Sequence, residues 1–326
     1  MHLAARHAVR GGAHLVVTVV ENLAYLLLSR RLAPEPRISL RLASRGAFRE
    51  SFSFASYNAI ALLSDQIIGL TDTIVIGCLL GPAATVPYYI AQRLCQMARV
   101  PLEQVAEMLL PKSAELQMRQ QPDRLRTIAI RAWGFSLLLI GGAVIGSAYF
   151  GERLLQTWLG DGNEPSYPIL MILIVAQLVA LPVRVLKMTL VGLGQVRVLA
   201  LLDLAQAAVN LVLSLVLVQF WGIAGVAWGT LIPAVVFELG IILPLACRKL
   251  ELRPGTLLRQ GVWPQLVPFA LLWIYGAAMS RVPLAESWIN LMLITGLGGG
   301  VLVDARAAVQ WWTDRSRPAK GVLVSE

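Results

Sequence analysis

SFASYNAIALLSDQIIGLTDTIVIGCLLGPAATVPYYIAQRLCQMARVPLEQVAEMLL, residues 53–110, is the stretch that decides the fold. It reads as two membrane-length helices joined by the turn Gly81-Pro82-Ala83, since about 20 apolar residues span the bilayer hydrocarbon and a Gly-Pro pair punctuates the run. Both helices carry charge inside their apolar runs: Asp65 and Asp72 in the first, and Arg93, Arg99, Glu103 and Glu107 in the second. An ionised side chain at bilayer depth costs roughly 2.5–3.5 kcal/mol on insertion scales unless it faces a wet cavity or a partner. The stretch therefore reads as a conduit rather than an anchor.

The rest of the chain has the same character. Of its 326 residues 57% are hydrophobic and only 14% charged, with a mean hydropathy of +0.67, more apolar than a soluble domain. An all-α polytopic membrane protein is expected, with nine spans near 11–29, 53–80, 84–110, 128–150, 166–186, 197–219, 223–246, 262–281 and 286–304. The first, interrupted by Glu21 and Asn22, is compositionally the weakest.

Charge sets the orientation. Basic residues crowd every second connection: six arginines in 30–49, five basic residues in 112–131, Arg184, Lys187 and Arg197 around the next, Arg248, Lys249, Arg253 and Arg259 after that, and Arg306, Arg315, Arg317 and Lys320 in the tail. The intervening turns carry almost none, so these loops and the C-terminus are expected in the cytoplasm of a multi-pass inner-membrane protein. The net charge of +9 follows from that topology and from the attraction of anionic lipids. Nucleic acid is not an expected partner, because the arginines are spread over five loops without interleaved aromatics. Nine spans with an inside C-terminus leave Met1 outside, against the charge of Arg6 and Arg10. A signal peptide there would send the six-arginine segment outward, which is worse. The chain is accordingly read as beginning partway through a larger transporter plan.

Enzyme chemistry finds little support. The three histidines, His2, His7 and His14, all fall in the first 14 residues, and Cys78, Cys95 and Cys247 sit in or at the end of apolar runs with no metal-ligand spacing. No phosphate-cradling loop or nucleophile elbow is present. No catalytic residue, metal or cofactor is expected.

Three segments carry a family resemblance: TDTIVIGCLLGPAATVPYYIAQRL (71–94), LVGLGQVRVLALLDLAQAAVNLVLSLVLV (190–218) and WGIAGVAWGTLIP (221–233). With a D-x-x-x-x-G-x-x-x-G hairpin and a G-x-x-G-x-A-x-G-T helix entry, the chain resembles the lipid-linked oligosaccharide flippase branch of the multidrug/oligosaccharidyl-lipid/polysaccharide exporter superfamily, over about residues 50–250. The resemblance implies two six-helix lobes, of which only the second is recognisable here, because no second copy of the hairpin motif precedes Ser53. Residues 1–50 would be the remnant of a first lobe and its basic loop, 51–250 the second lobe, and 251–326 a C-terminal helix pair with a basic tail. A truncated product, a start chosen too late, or a lobe working as a homodimer would each produce this arrangement.

Positions seven apart on a helix differ by only about 20°, so Asn58, Asp65 and Asp72 form one stripe. Gln92, Gln96, Arg99, Glu103 and Glu107 form a second, with Arg93 at its border and Pro101 expected to bend the helix. Asp203, Gln206, Asn210 and Ser214 form a third. The resemblance implies that these stripes line a cleft through which a lipid-linked oligosaccharide passes. Arg93 and Arg99 are the expected phosphate contacts, because a guanidinium grips phosphate oxygens at two points. Gln92, Gln96 and Asn210 are the expected sugar contacts, and Asp65, Asp72 and Glu103 the expected ion-coupling groups. Packing offers a second reading for each: Arg99 and Glu103 neutralising each other, Asp65 and Asp72 bonding between helices, Asp203 solvated near the cytoplasmic end. Two other functions stand beside the flippase, a cation-coupled multidrug antiporter and a non-transporting membrane remnant or subunit.

Overall fold

The computed structural model describes residues 44–160, 162, 165–281 and 296–300, together with 18–20, 22, 23 and 25. The chain divides into two units, Met1–Ser53 and Phe54–Glu326. In the first, the described residues other than Ser44 are helical. The expected spans 11–29 and 286–304 lie largely outside the described residues.

The second unit is built from long helices, and no strand occurs among the described residues. Helix α1 (Arg45–Leu79), which belongs to this unit from Phe54 onward, is followed by α2 (Pro82–Met118), α3 (Pro122–Leu159), α4 (Ser166–Gly192) and α5 (Val196–Ala234). A π-helical segment (Val235–Ile242) carries α5 into α6 (Leu243–Lys249). Then come the single turn α7 (Pro254–Leu257), a second π-helical segment (Leu258–Val262) and α8 (Trp263–Met279).

Among the described residues, five stretches are long and apolar enough to cross a membrane: Ser51–Leu79, Pro122–Leu159, Ser166–Gly192, Val196–Lys249 and Pro254–Met279. Helix α2, at 37 residues, is as long but more polar. The stretch Val196–Lys249 has 54 residues, about 80 Å of straight helix at 1.5 Å per residue. That is far more than a bilayer needs, and the chain folds back at Gly222, whose φ of 56° and ψ of −135° suit a residue without Cβ. The expected spans 197–219 and 223–246 are the two arms of this hairpin. The arms touch closely: a Cβ on Gly229 would lie 2.5 Å from Ser214 Oγ and 2.8 Å from Ser214 N. The glycine spacing quoted from 221–233 is thus a turn followed by a contact between arms.

The other sequence-read turn behaves alike. Gly81, at φ 93°, precedes Pro82 at the first turn of α2, where a missing N–H costs nothing. Helix α2 continues through Pro87, Pro101 and Pro111, and packs most extensively on α4.

Two apolar clusters fill the bundle. One gathers Leu109, Leu186, Leu190 and Ile242; the other gathers Ile76, Tyr88, Ile140, Ile174 and Val226. On α4 they meet between Leu181 and Val183, the level at which a polar cavity opens. Helix α8 lies on α3, where Leu138 and Leu272 anchor a third, smaller cluster.

Candidate functional site

A cavity of about 140 Å³ is enclosed by α1, α2, α4, both arms of α5 and the first π-helical segment. It has room for a small cluster of waters, at about 30 Å³ each in the liquid. Its charged lining comprises Asp65, Arg99, Arg184, Lys187, Asp203 and Glu238, with Asn58, Gln177, Gln206, Asn210 and Thr230 beside them.

Opposite charges alternate around the wall. Arg99 donates from Nη2 to Asp65 Oδ2 and from Nε to Glu103 Oε1 at 2.7 Å. The same Glu103 oxygen lies 3.3 Å from Arg184 Nε. Lys187 donates to Asp203 Oδ1 at 2.5 Å and to Glu238 Oε1 at 3.3 Å. The ladder is more exposed at one end than at the other: the Arg99 and Arg184 side chains are each 24% exposed and Asp65 37%, against 9% for Lys187 and 5% for Glu238. Breaking such a buried pair by removing one partner costs about 3–5 kcal/mol, because the survivor is left uncompensated.

Asp72 belongs to a separate knot. Tyr88 donates to its Oδ2 at 2.5 Å, Thr230 to the same oxygen at 2.8 Å and Ser214 to Oδ1 at 3.2 Å. Asn210 braces this knot from the next turn, donating from Nδ2 to Gly229 O and to Thr230 Oγ1, both at 3.1 Å. One carboxylate thus ties α1 to α2 and to both arms of α5.

The sequence-read residues separate into three groups. Asn58, Asp65, Arg99, Asp203, Gln206 and Asn210 line the cavity, with Glu103 directly behind. Asp72 and Ser214 are buried between helices. Arg93, Gln96 and Glu107 lie on an exposed flank, where Arg93 donates to Gln96 at 3.4 Å, and Gln92 donates across to Gly69 O at 2.8 Å. The polar face of α2 therefore brings only Arg99 and Glu103 to the cavity.

Two readings need correction. Arg184 and Lys187, assigned to the flank of a cytoplasmic loop, lie in the bundle interior, because α4 does not end near residue 186. The apolar run resumes with Met188, Leu190 and Val191, and the helix continues to Gly192. Asp203, weighed as solvated, is drawn inward by Lys187. Glu238 carried no role in the sequence reading. Its signal was present all the same, a lone acid within VVFELGII at membrane depth. Among the described residues, no three His, Cys, Asp or Glu side chains gather as metal ligands would.

Comparison with known proteins agrees with this architecture. Residues 10–168 match the family described as polysaccharide biosynthesis protein. A curated relative, the probable low-salt glycan biosynthesis flippase Agl15 of Haloferax volcanii, is 21% identical over 192 residues, covering 59% of this chain and 41% of the relative. An outward-facing multidrug resistance MATE transporter of the MOP superfamily superposes with a TM-score of 0.50 at 17% identity, over 77% of this chain and 62% of the other. A MOP superfamily transporter of Pyrococcus furiosus, noted for the reverse polarity of its binding pocket, gives the same score and coverage at 18% identity. The chain spans about two fifths of the curated relative's length and about three fifths of each solved structure. The structural likenesses establish the fold. Together with the sequence matches they mark a multi-pass membrane protein that resembles the polysaccharide exporters of the MOP superfamily, in a company of transporters rather than enzymes.

Proposed function

We propose that this chain, a polysaccharide-exporter relative with the MOP transporter fold, forms the working lobe of a flippase that moves a lipid-linked oligosaccharide across the cytoplasmic membrane, its C-terminus on the cytoplasmic side. The observation that carries the reading is the set of three cations, Arg99, Arg184 and Lys187, facing one cavity at the centre of membrane-length helices. A sugar head group on a pyrophosphate needs such cations at depth, and guanidinium forks suit it best.

The cavity as it stands is far smaller than an oligosaccharide, and its cations are already engaged. Arg99 holds Asp65 and Glu103, and Arg184 leans on Glu103. An arriving phosphate competes with these carboxylates for the two forks, and each carboxylate it displaces takes a proton or a metal cation in exchange. Asp65 and Glu103 thereby couple ion to substrate. Asp72, whose two oxygens accept from three hydroxyls, fits an interhelical anchor better than a coupling site. Asn210, with its Oδ1 buried and unpartnered among the described residues, has an acceptor in reserve for a sugar hydroxyl. Arg93 and Gln96 reach a substrate only where a first lobe or a second copy of this chain faces their flank.

The multidrug-antiporter reading has less behind it. The sequence matches are to polysaccharide and glycan proteins, whereas the MATE likeness, at 17% identity, carries the fold alone. The test is export in a strain lacking its own copy. Arg99→Ala with Arg184→Ala should abolish surface polysaccharide while the protein stays in the membrane. Undiminished export in that double variant would remove the assigned role.

A further inference from the structure

The second half of the ion ladder is built differently from the first. The Lys187 side chain, 9% exposed, stands between two acids, bonding Asp203 at 2.5 Å and Glu238 at a looser 3.3 Å. The Glu238 side chain is 5% exposed, and while Oε1 accepts from Lys187, Oε2 is buried with no partner among the described residues. It sits on the π-helical segment Val235–Ile242, and such segments recur at functional sites in helices. The charged groups facing it are Lys187 and Arg184 from α4 and Asp203 from α5. Around the whole cavity the four acids Asp65, Glu103, Asp203 and Glu238 meet the three cations Arg99, Arg184 and Lys187. One negative charge is left over. Asp65 and Glu103 share Arg99, and Arg184 lies 3.3 Å from Glu103, so two acids face two cations in that half; in the other half Lys187 alone faces Asp203 and Glu238, and the surplus falls on Glu238, the acid with the looser pairing and the orphaned oxygen. An ionised oxygen without a donor in the interior is far costlier than a neutral carboxyl.

We propose that Glu238 is a proton-binding site of the cavity: its carboxylate takes one proton at Oε2 from the water of the cleft and later returns it, while Asp203 keeps Lys187 in either state. The step is a bare protonation, one O–H bond formed and one charge cancelled, with nothing else consumed. Neutral Glu238 leaves Lys187 paired with Asp203 alone and the ladder balanced. Ionised Glu238 pulls Lys187 toward the π-helical segment and couples that segment to α4. The site is separate from the Arg99 and Arg184 forks. It rests on the reading of this interior as a wet transport cavity, but not on the identity of what is carried.

A hydrophobic carbodiimide tests it, since that reagent modifies protonated carboxyls in apolar surroundings. The full chain in native membranes is treated across a range from about pH 5 to about pH 9, and adducts are located by mass spectrometry, with Glu238→Gln as the blank. Glu238 should be modified at the acid end, and its labelling should fall about tenfold per pH unit once the group is mostly ionised. Lys187→Met should move that fall to higher pH. Labelling of Glu238 only after Lys187 is replaced would reduce the residue to a permanent ion-pair partner and overturn the proposal, as would labelling that ignores pH. The adduct is read without any transport assay, so failure of the flippase reading leaves it interpretable.

Discussion

At the residue scale, paired polar groups differ in what their loss exposes. Replacing Asp72 by Ala leaves Tyr88, Ser214 and Thr230 without their shared acceptor in an interior where all are wholly or partly buried. The expected cost is about 1–3 kcal/mol, seen as a lower midpoint of thermal unfolding in detergent. Asp72→Asn keeps one acceptor oxygen and should lose less. Arg93→Ala, by contrast, should leave the midpoint unchanged, because its recorded partner is a long bond to Gln96 on an exposed flank. The contrast also bounds what the sequence disclosed. Asp65, Asp72, Arg99 and Glu103 were legible because charge in an apolar run is costly and must have a partner. Which partner was not legible: helical spacing put Asp72 in one stripe with Asp65, yet Asp65 faces Arg99 and the cavity while Asp72 turns to Tyr88 and the hairpin. A stripe drawn on an ideal helix fixes direction along one element only, and the neighbours that satisfy it come from chain 16 to 158 residues away.

At the element scale, helix existence followed from hydropathy and helix ends did not. The spans 128–150 and 166–186 lie within described helices and 53–80 does so up to Leu79, but α4 runs past its expected end and carries Arg184 and Lys187 inward. Two cations near the end of an apolar run look like a loop flank until the acids of α2, α5 and the π-helical segment are known to face them. The α5 hairpin shows the reverse case, in which local glycine chemistry was informative. Gly229 has no room for a side chain, since even a Cβ would stand within 3 Å of Ser214 Oγ, N and Cα. Gly229→Leu should therefore separate the arms, break the bond from Asn210 to the Gly229 carbonyl and release Thr230 from Asp72. The expected outcome is a large drop in folded protein recovered from membranes, measured by fluorescence size-exclusion chromatography. Ser214→Ala should not rescue it, because two of the three close atoms belong to backbone. Gly240→Ala, on the same hairpin with nothing within 4 Å of its Cβ, should be recovered like the parent.

At the scale of the whole molecule, the distribution of charge across the bundle argues the topology. The connection between α2 and α3 carries Lys112, Arg119, Arg124 and Arg126 near it, and it meets the turn between α6 and α7, where Arg126 pairs with Glu251 and donates to Leu250 O at 2.8 Å. That turn brings Arg248, Lys249 and Arg253 to the same end. The opposite end has Gly81, Gly160 and Gly222 at its turns and Arg153 as a rare cation, donating to Ser280 O at 2.9 Å. Basic loops stay on the cytoplasmic side during insertion, so the two ends should differ in reach to a membrane-impermeant maleimide applied to intact cells. With the native cysteines replaced, Gln120→Cys should stay unlabelled until the membrane is opened, and Gly162→Cys should label at once. Both positions lie in short turns rather than in packed helices; their φ values of 53° and 100° put any strain from a cysteine in the turn itself, and a Cβ at Gly162 meets nothing within 4 Å. The opposite pattern would invert the protein in the membrane and count against the proposed export from the cytoplasmic side, whereas equal labelling of both positions would mean a chain inserted in two orientations. Labelling of Gly162→Cys alone in intact cells is the one pattern compatible with the proposed loading of the cavity from the cytoplasmic leaflet.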